Sequence, residues 1–301
     1  MKQMNPQSTH PIKVRKPAWL RRKLPQGPVY EQIRSLIRQG NLHTVCQEAQ
    51  CPNQFECFSQ KTATFLIMGS KCTRNCRFCS IESDPTHPPD TEEPLRVAAA
   101  AAKMELRYVV ITSVTRDDLS DGGASLFAKT ICALRERISD VHIEVLIPDF
   151  KGDKDALCCV LEARPDVLNH NIETVPRLYP IVRPQADYQR SLRLLQRVYA
   201  FNPMIPVKSG IMLGLGETSD EIRQTMKDIY ESECNLLTLG QYLQPSQHHL
   251  PVERFVTPDE FDNWKQTALE IGFEQVASGP FVRSSYHARN LFQAVQCCDA
   301  N

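Results

Sequence analysis

The sequence predicts an α/β protein, a partial (β/α)6 barrel of TIM type with extensions at both ends. Three observations predict it. After residue 61, six β-rich runs alternate with six helical patterns, the signature of right-handed βαβ units around a parallel sheet. Polar residues fall at the C-terminal ends of those runs, where a barrel gathers its chemistry at one mouth. The length of 301 residues is what an α/β barrel occupies as one unit. An open doubly wound sheet is the competing architecture for six units, and the converging polar strand ends favour the barrel.

The expected strands cover 62–69, 107–114, 142–148, 167–174, 207–214 and 236–242, and the expected helices 94–106, 124–138, 154–163, 188–200, 219–232 and 258–271. Pro94 and Pro258 suit a first helical turn, and Thr218 with Glu221 makes a capping box. Ahead of these units, a short amphipathic helix is expected over 29–38, stopping at Gly40. Residues 1–28 hold seven Lys/Arg and no acid, but five prolines would interrupt a transit-peptide helix repeatedly. They read as a basic extended arm. The organisation is therefore an arm at 1–28, a cysteine-bearing segment at 29–61, the barrel at 62–272 and a C-terminal segment at 273–301.

Composition narrows the setting. With 35 basic and 35 acidic side chains the net charge is zero, so no global field draws the chain to nucleic acid or an anionic membrane. No run approaches the roughly 18 apolar residues of a membrane span. Twelve cysteines without a secretory signal, six of them at metal-ligand spacing, point to a reducing cytoplasm rather than a disulfide framework. The other six, Cys132, Cys158, Cys159, Cys234, Cys297 and Cys298, follow no such spacing and read as small hydrophobes or exposed thiols.

The string KCTRNCRFC directly follows the first strand and sets Cys72, Cys76 and Cys79 at C-x3-C-x2-C spacing. Iron–sulfur clusters are commonly held by four cysteines, so three ligands on a four-iron cluster leave one iron open for chemistry. A second triplet, Cys46, Cys51 and Cys57, precedes it in HTVCQEAQCPNQFECF. Structural zinc wants four ligands, so this triplet needs His43, a distant side chain or the other triplet to complete it.

A C-x3-C-x2-C loop after the first strand of a six-unit βα chain resembles that of the radical S-adenosylmethionine (SAM) enzymes. The resemblance implies a [4Fe–4S] cluster on Cys72, Cys76 and Cys79 whose open iron binds SAM, giving a 5′-deoxyadenosyl radical. Polar groups for that cofactor are then sought at the mouth: Ser113 and Asp117 in ITSVTRDDLSDGG, Asn171 and Glu173 in NHNIETV, Arg183 in YPIVRP, and Glu217 in GIMLGLGET. The competing reading of Asn171 and Glu173 is an ordinary βα-loop cap, and of Arg183 a salt bridge.

CQEAQCPNQFEC, CTRNCRFC and RSSYHA, with KPAWLRRKLP and LGQYLQPSQHHLPV, are similar to the lipoyl synthase family over nearly the whole chain, about residues 16–288. The resemblance implies a second, auxiliary [4Fe–4S] cluster on Cys46, Cys51 and Cys57, with Ser285 as its fourth ligand and Ser284 as the fallback. An alkoxide oxygen matches cluster iron less well than a thiolate, so that corner can detach. It further implies two SAM per lipoyl group formed, sulfur insertion at C6 and C8 of a protein-bound octanoyl-lysine, and the auxiliary cluster as sulfur donor. Implied partners are octanoylated lipoyl carrier domains or the glycine-cleavage H protein, a flavodoxin or ferredoxin as electron donor, and an iron–sulfur carrier protein. Against an acidic carrier, Arg15, Lys16, Arg21, Arg22 and Lys23 are docking candidates. His248 and His249 read as structural, since hydrogen abstraction asks for no side-chain base. The rivals are a methylthiotransferase-type radical enzyme and a non-enzymatic zinc module.

Overall fold

The computed structural model describes residues 16–21, 28–49, 51–59, 63–83, 87–286 and 288–298. Seven parallel strands form one sheet: β1 (Thr64–Ile67), β2 (Tyr108–Ser113), β3 (His142–Leu146), β4 (Val167–Asn169), β5 (Val207–Leu213), β6 (Leu236–Gln241) and β7 (Gln275–Gly279). Each pairs with the next in chain order, and the short strand His43–Thr44 adds antiparallel to the outer edge of β1. Among the described residues the two edges do not pair with one another. The result is the partial barrel expected, open along one side.

Helices α1 (Glu93–Lys103), α2 (Ala124–Arg137), α3 (Lys154–Glu162), α4 (Tyr188–Phe201), α5 (Ser219–Tyr230) and α6 (Pro258–Ile271) complete the six βα units. The caps are local chemistry. Thr218 and Glu221 form the reciprocal box at α5, while Asp153, Asp187 and Thr257 accept first-turn amides of α3, α4 and α6. The sheet is largely apolar on the face the helices cover, while its inner face mixes apolar with buried polar side chains. Phe65 and Ile67 are fully buried, whereas the alternate residues Thr64 and Leu66, Gly210 and Met212, and Thr238 and Gly240 line an interior cavity.

Several elements exceed the expectation. Strand β7 pairs with β6 from Gln275 to Gly279, although its sequence, Gln-Val-Ala-Ser-Gly, offers one strongly apolar residue. A short helix, Tyr179–Val182, precedes α4. After β7 the chain turns back, and helix Ala288–Cys298 sets Phe292 against Tyr108, His142, Val167 and Leu236, the first residues of β2, β3, β4 and β6. Residues 280–286 therefore run from the mouth of the barrel to its floor.

Candidate active site

The loop after β1 is held on every side. Thr73 donates from its backbone N–H and its hydroxyl to the Thr115 carbonyl, at 3.0 and 2.9 Å. The Asn75 amide meets Gln185 Oε1 at 2.6 Å and the Arg77 amide the Val182 carbonyl at 2.9 Å. Between them Arg74, almost wholly buried, reaches Asp117 at 2.7 Å and Asp149 at 2.5 Å. This fork spans the ends of β2 and β3, so the loop cannot shift without breaking two ion pairs.

So held, Cys72, Cys76 and Cys79 line a cavity of about 480 Å³. The Cys72 thiol accepts from the Arg74 and Thr115 amides at 3.4 and 3.3 Å. Burial, with the neighbouring thiols adding, raises the Cys76 thiol and pushes Cys79 up to about 12. Such thiols stay neutral at pH 7 and would ionise only on binding a cation. Among the described residues no group of three or more His, Cys, Asp or Glu converges on a single metal ion. A cluster presents its irons at separate corners, so its ligands need not converge; a zinc ion needs them to.

The first triplet sits beside β1. Cys46 lies on the short helix Val45–Glu48, capped by Thr44, and Cys57 on the helix Gln54–Ser59. Burial pushes the Cys46 thiol up to about 12, with Cys51 and Cys57 adding, while the Thr64 amide donates to it and pulls the other way. Cys46 and Cys51 line the same cavity as the second triplet. The C-terminal string is tied to this corner by Asn53 Nδ2 to the Phe281 carbonyl at 2.7 Å and the Tyr286 hydroxyl to Glu56 at 2.9 Å. Thr64 Oγ1 donates to Ser285 Oγ at 2.8 Å. Since Thr64 serves both Cys46 and Ser285, that serine stands beside the first triplet. Ser284 goes elsewhere, to Asn171 Nδ2 at 2.6 Å. His43 is hydrogen-bonded to Glu48 at 2.9 Å, a local structural partner.

Of the residues expected to meet a cofactor at the mouth, Ser113, Asn171, Glu173 and Arg183 line the cavity. Ser113 Oγ, Asn171 Oδ1 and Arg183 Nε are buried there with no protein partner, the condition of groups that a polar ligand would satisfy. Arg183 also holds the carbonyls of Asn171 and Ile172 at 3.0 and 3.1 Å, shaping the end of β4. Burial raises the Glu173 carboxyl against the pull of Arg183 and Asn171, and its backbone takes a left-handed turn at φ 70°. Asp117 and Glu217 lie outside the lining. Asp117 is taken up by Arg74, and Glu217 accepts the Gly214 and Leu215 amides at 2.6 and 2.8 Å, closing the turn after β5. They support the site without facing it.

His249 bonds the Cys79 carbonyl at 2.9 Å and the Ser246 hydroxyl at 2.9 Å, the structural role expected. Lys16 lines the cavity and Arg21 is exposed, whereas Arg15, Arg22 and Lys23 lie outside the described residues. Sequence reasoning missed Arg74, Thr64 and the cavity-facing glycine Gly210. The only signal for Arg74 was its place inside the cysteine loop.

Residues 66–229 match the model of the radical SAM superfamily. The fold agrees. Streptococcus suis SuiB, solved with S-adenosylmethionine, aligns with a TM-score of 0.57 at 9% identity over 75% of this chain and 54% of that one. HydG, a maturase of the [FeFe]-hydrogenase, aligns at 0.52 and 12% identity over 87% and 74%. Fold and cysteine loop together define a radical SAM enzyme. Residues 2–51 match the N-terminal domain of lipoyl synthase. The lipoyl synthase of Desulfotalea psychrophila is 57% identical over 290 residues, 96% of this chain and 97% of the relative. That of Rubrobacter xylanophilus is 54% identical over 273 residues, 91% and 85%. The chain belongs to the lipoyl synthase family.

Proposed function

We propose that the chain inserts two sulfur atoms, at C6 and C8, into an octanoyl group carried on a lysine of a lipoyl carrier domain or glycine-cleavage H protein. In this reading Cys72, Cys76 and Cys79 hold one [4Fe–4S] cluster, and Cys46, Cys51, Cys57 and Ser285 hold a second. The observation that supports it is the 2.8 Å bond from Thr64 to Ser285, which brings a serine hydroxyl to the strand beside a cysteine triplet that lacks a fourth member. When bound, the clusters and SAM supply the hydrogen-abstracting radical and the sulfur.

The chain's own residues do the rest. Arg74 fixes the loop of the radical cluster through Asp117 and Asp149. Ser113, Asn171, Glu173 and Arg183 offer SAM its polar contacts at the ends of β2 and β4, and Phe78, Leu146, Ile147, Met212 and Leu243 give an acyl chain apolar walls and exclude water. Segments 29–61 and 273–301 frame the auxiliary corner, and 62–272 the radical centre. Lys16, at the cavity, and Arg21 meet an acidic carrier. A flavodoxin or ferredoxin supplies electrons, an iron–sulfur carrier rebuilds the auxiliary cluster, and the reducing cytoplasm suits the thiols. Anaerobic incubation with an octanoyl-lysyl peptide, SAM and a low-potential reductant tests the reading by mass analysis. Two sulfurs gained on the acyl chain, with loss of one cluster, is the expected result; 5′-deoxyadenosine without sulfurated peptide overturns it.

A further inference from the structure

The two serines of the string Arg283-Ser-Ser-Tyr286 part company, and only Ser285 has been given a role. Ser284 Oγ lies 2.6 Å from Asn171 Nδ2, and the same nitrogen lies 3.1 Å from Glu173 Oε1. An amide nitrogen carries two hydrogens, so these two acceptors consume both. The amide is thereby locked in one orientation, with Oδ1 on the opposite side. That oxygen is buried and has no protein partner.

The backbone makes room for it. A Cβ on Gly210 would sit 2.9 Å from Asn171 Oδ1 and 2.5 Å from Thr238 Oγ1, so β5 passes the amide at a distance only glycine permits. Asn171, Gly210, Thr238 and Ser284 all line the common cavity. Ser284 therefore reaches across 113 residues of sequence to fix a buried acceptor against β5, in the cavity wall where Ser113 Oγ and Arg183 Nε also lack protein partners.

We infer that Ser284 is a positioning residue for SAM: it fixes the Asn171 amide so that Oδ1 accepts from a hydroxyl or ammonium donor of the cofactor. The inference rests on the reading of Asn171 as a SAM contact. It carries a consequence for coupling. The string that places Ser285 at the auxiliary corner also completes the SAM subsite through the adjacent residue, so SAM binding and seating of the string favour one another. Linkage makes that effect reciprocal.

The test uses anaerobically reconstituted full-length chain. SAM affinity is measured by equilibrium dialysis, with iron and sulfide counted in the same samples, for the wild type, Ser284→Ala and Ser284→Thr. Loss of one neutral hydrogen bond that orients the acceptor weakens SAM binding roughly tenfold in Ser284→Ala. Iron and sulfide stay at the wild-type level, and Ser284→Thr, which keeps the hydroxyl, restores affinity. Hydrogen exchange gives an independent readout: SAM slows exchange over residues 281–286 in the wild type and loses that effect in Ser284→Ala. Wild type that binds SAM no better than Ser284→Ala overturns the inference alone. Wild type that binds no SAM overturns the underlying reading as well.

Discussion

The Thr64 hydroxyl donates to Ser285 Oγ over 2.8 Å, joining residues 221 apart in sequence, while the Thr64 amide donates to the Cys46 thiol. One residue at the start of β1 thus holds two proposed ligands of one cluster. Thr64→Val keeps the shape and the amide but removes the hydroxyl, at a cost of about 1 kcal/mol in folding stability. Iron bound per chain is expected to fall toward that of a single cluster as Ser285 loses its orientation. Ser285→Ala goes further: 5′-deoxyadenosine still forms, and sulfur insertion stops. Unchanged iron and sulfide in both variants would remove Ser285 from the ligand set.

Asp149 is buried, and burial alone would raise its carboxyl, but the hydrogen bond and charge of Arg74 more than offset this and hold it below the ordinary carboxylate range. The sign follows from linkage. A depressed folded pKa means the ion pair stabilises fully at pH above the unfolded value of about 3.9, and the contribution is lost as pH falls through the folded value. Asp149→Asn leaves Arg74 with Asp117 alone in a buried site and is expected to cost about 3–5 kcal/mol near neutrality. Urea unfolding from pH 7 downward checks it. The gap between wild type and variant holds to about pH 4 and closes below.

The sequence made the barrel legible wherever periodicity was strong. Helices α1 to α6 and strands β1 to β3, β5 and β6 fall within a few residues of expectation, whereas β4, expected over 167–174, ends at Asn169, where the chain turns into the polar segment that faces the cavity. β7 escaped because Val276 is its one strongly apolar side chain, and its place is set by pairing with β6 rather than by its own composition. Asp117 shows the limit at the site. An acidic residue at a strand end reads the same whether it faces a ligand or an arginine, and its partner Arg74 lies 43 residues earlier. Spacing identified both cysteine triplets; Ser285 emerged only through family resemblance, since Arg-Ser-Ser-Tyr alone reads as a surface turn.

Near the floor, Lys208 and Glu144 form a fully buried pair at 2.9 Å, with the Tyr108 hydroxyl on the other carboxylate oxygen at 2.6 Å. Lys208→Met strands the carboxylate in the core and is expected to destabilise by about 3–5 kcal/mol. Glu144→Leu combined with Lys208→Met removes both charges and recovers most of that loss. Thermal unfolding of the single and double variants measures the difference. A double variant no more stable than Lys208→Met would mean that the cost lies in lost packing or in the Tyr108 hydroxyl and Asn169 amide left without an acceptor, rather than in an uncompensated charge.

Gly240 tests whether the C-terminal string is seated by the barrel itself. A Cβ there would lie 2.3 Å from the Val282 carbonyl oxygen, a contact no side chain tolerates. β6 cannot yield, because Gly240 is paired with Met212 on one side and Gly279 on the other. In Gly240→Ala the string must move, and Ser284 and Ser285 move with it. The expected outcome is loss of the auxiliary cluster and faster exchange over residues 281–286, with the radical cluster retained. Gly216→Ala is the control: its φ of 101° strains an alanine, but the nearest atom to the new Cβ is Glu253 Cγ at 3.5 Å. That variant loses about 1 kcal/mol or more of stability and keeps both clusters. Iron counts that fall equally in the two variants would trace the effect to general destabilisation instead of the displaced string.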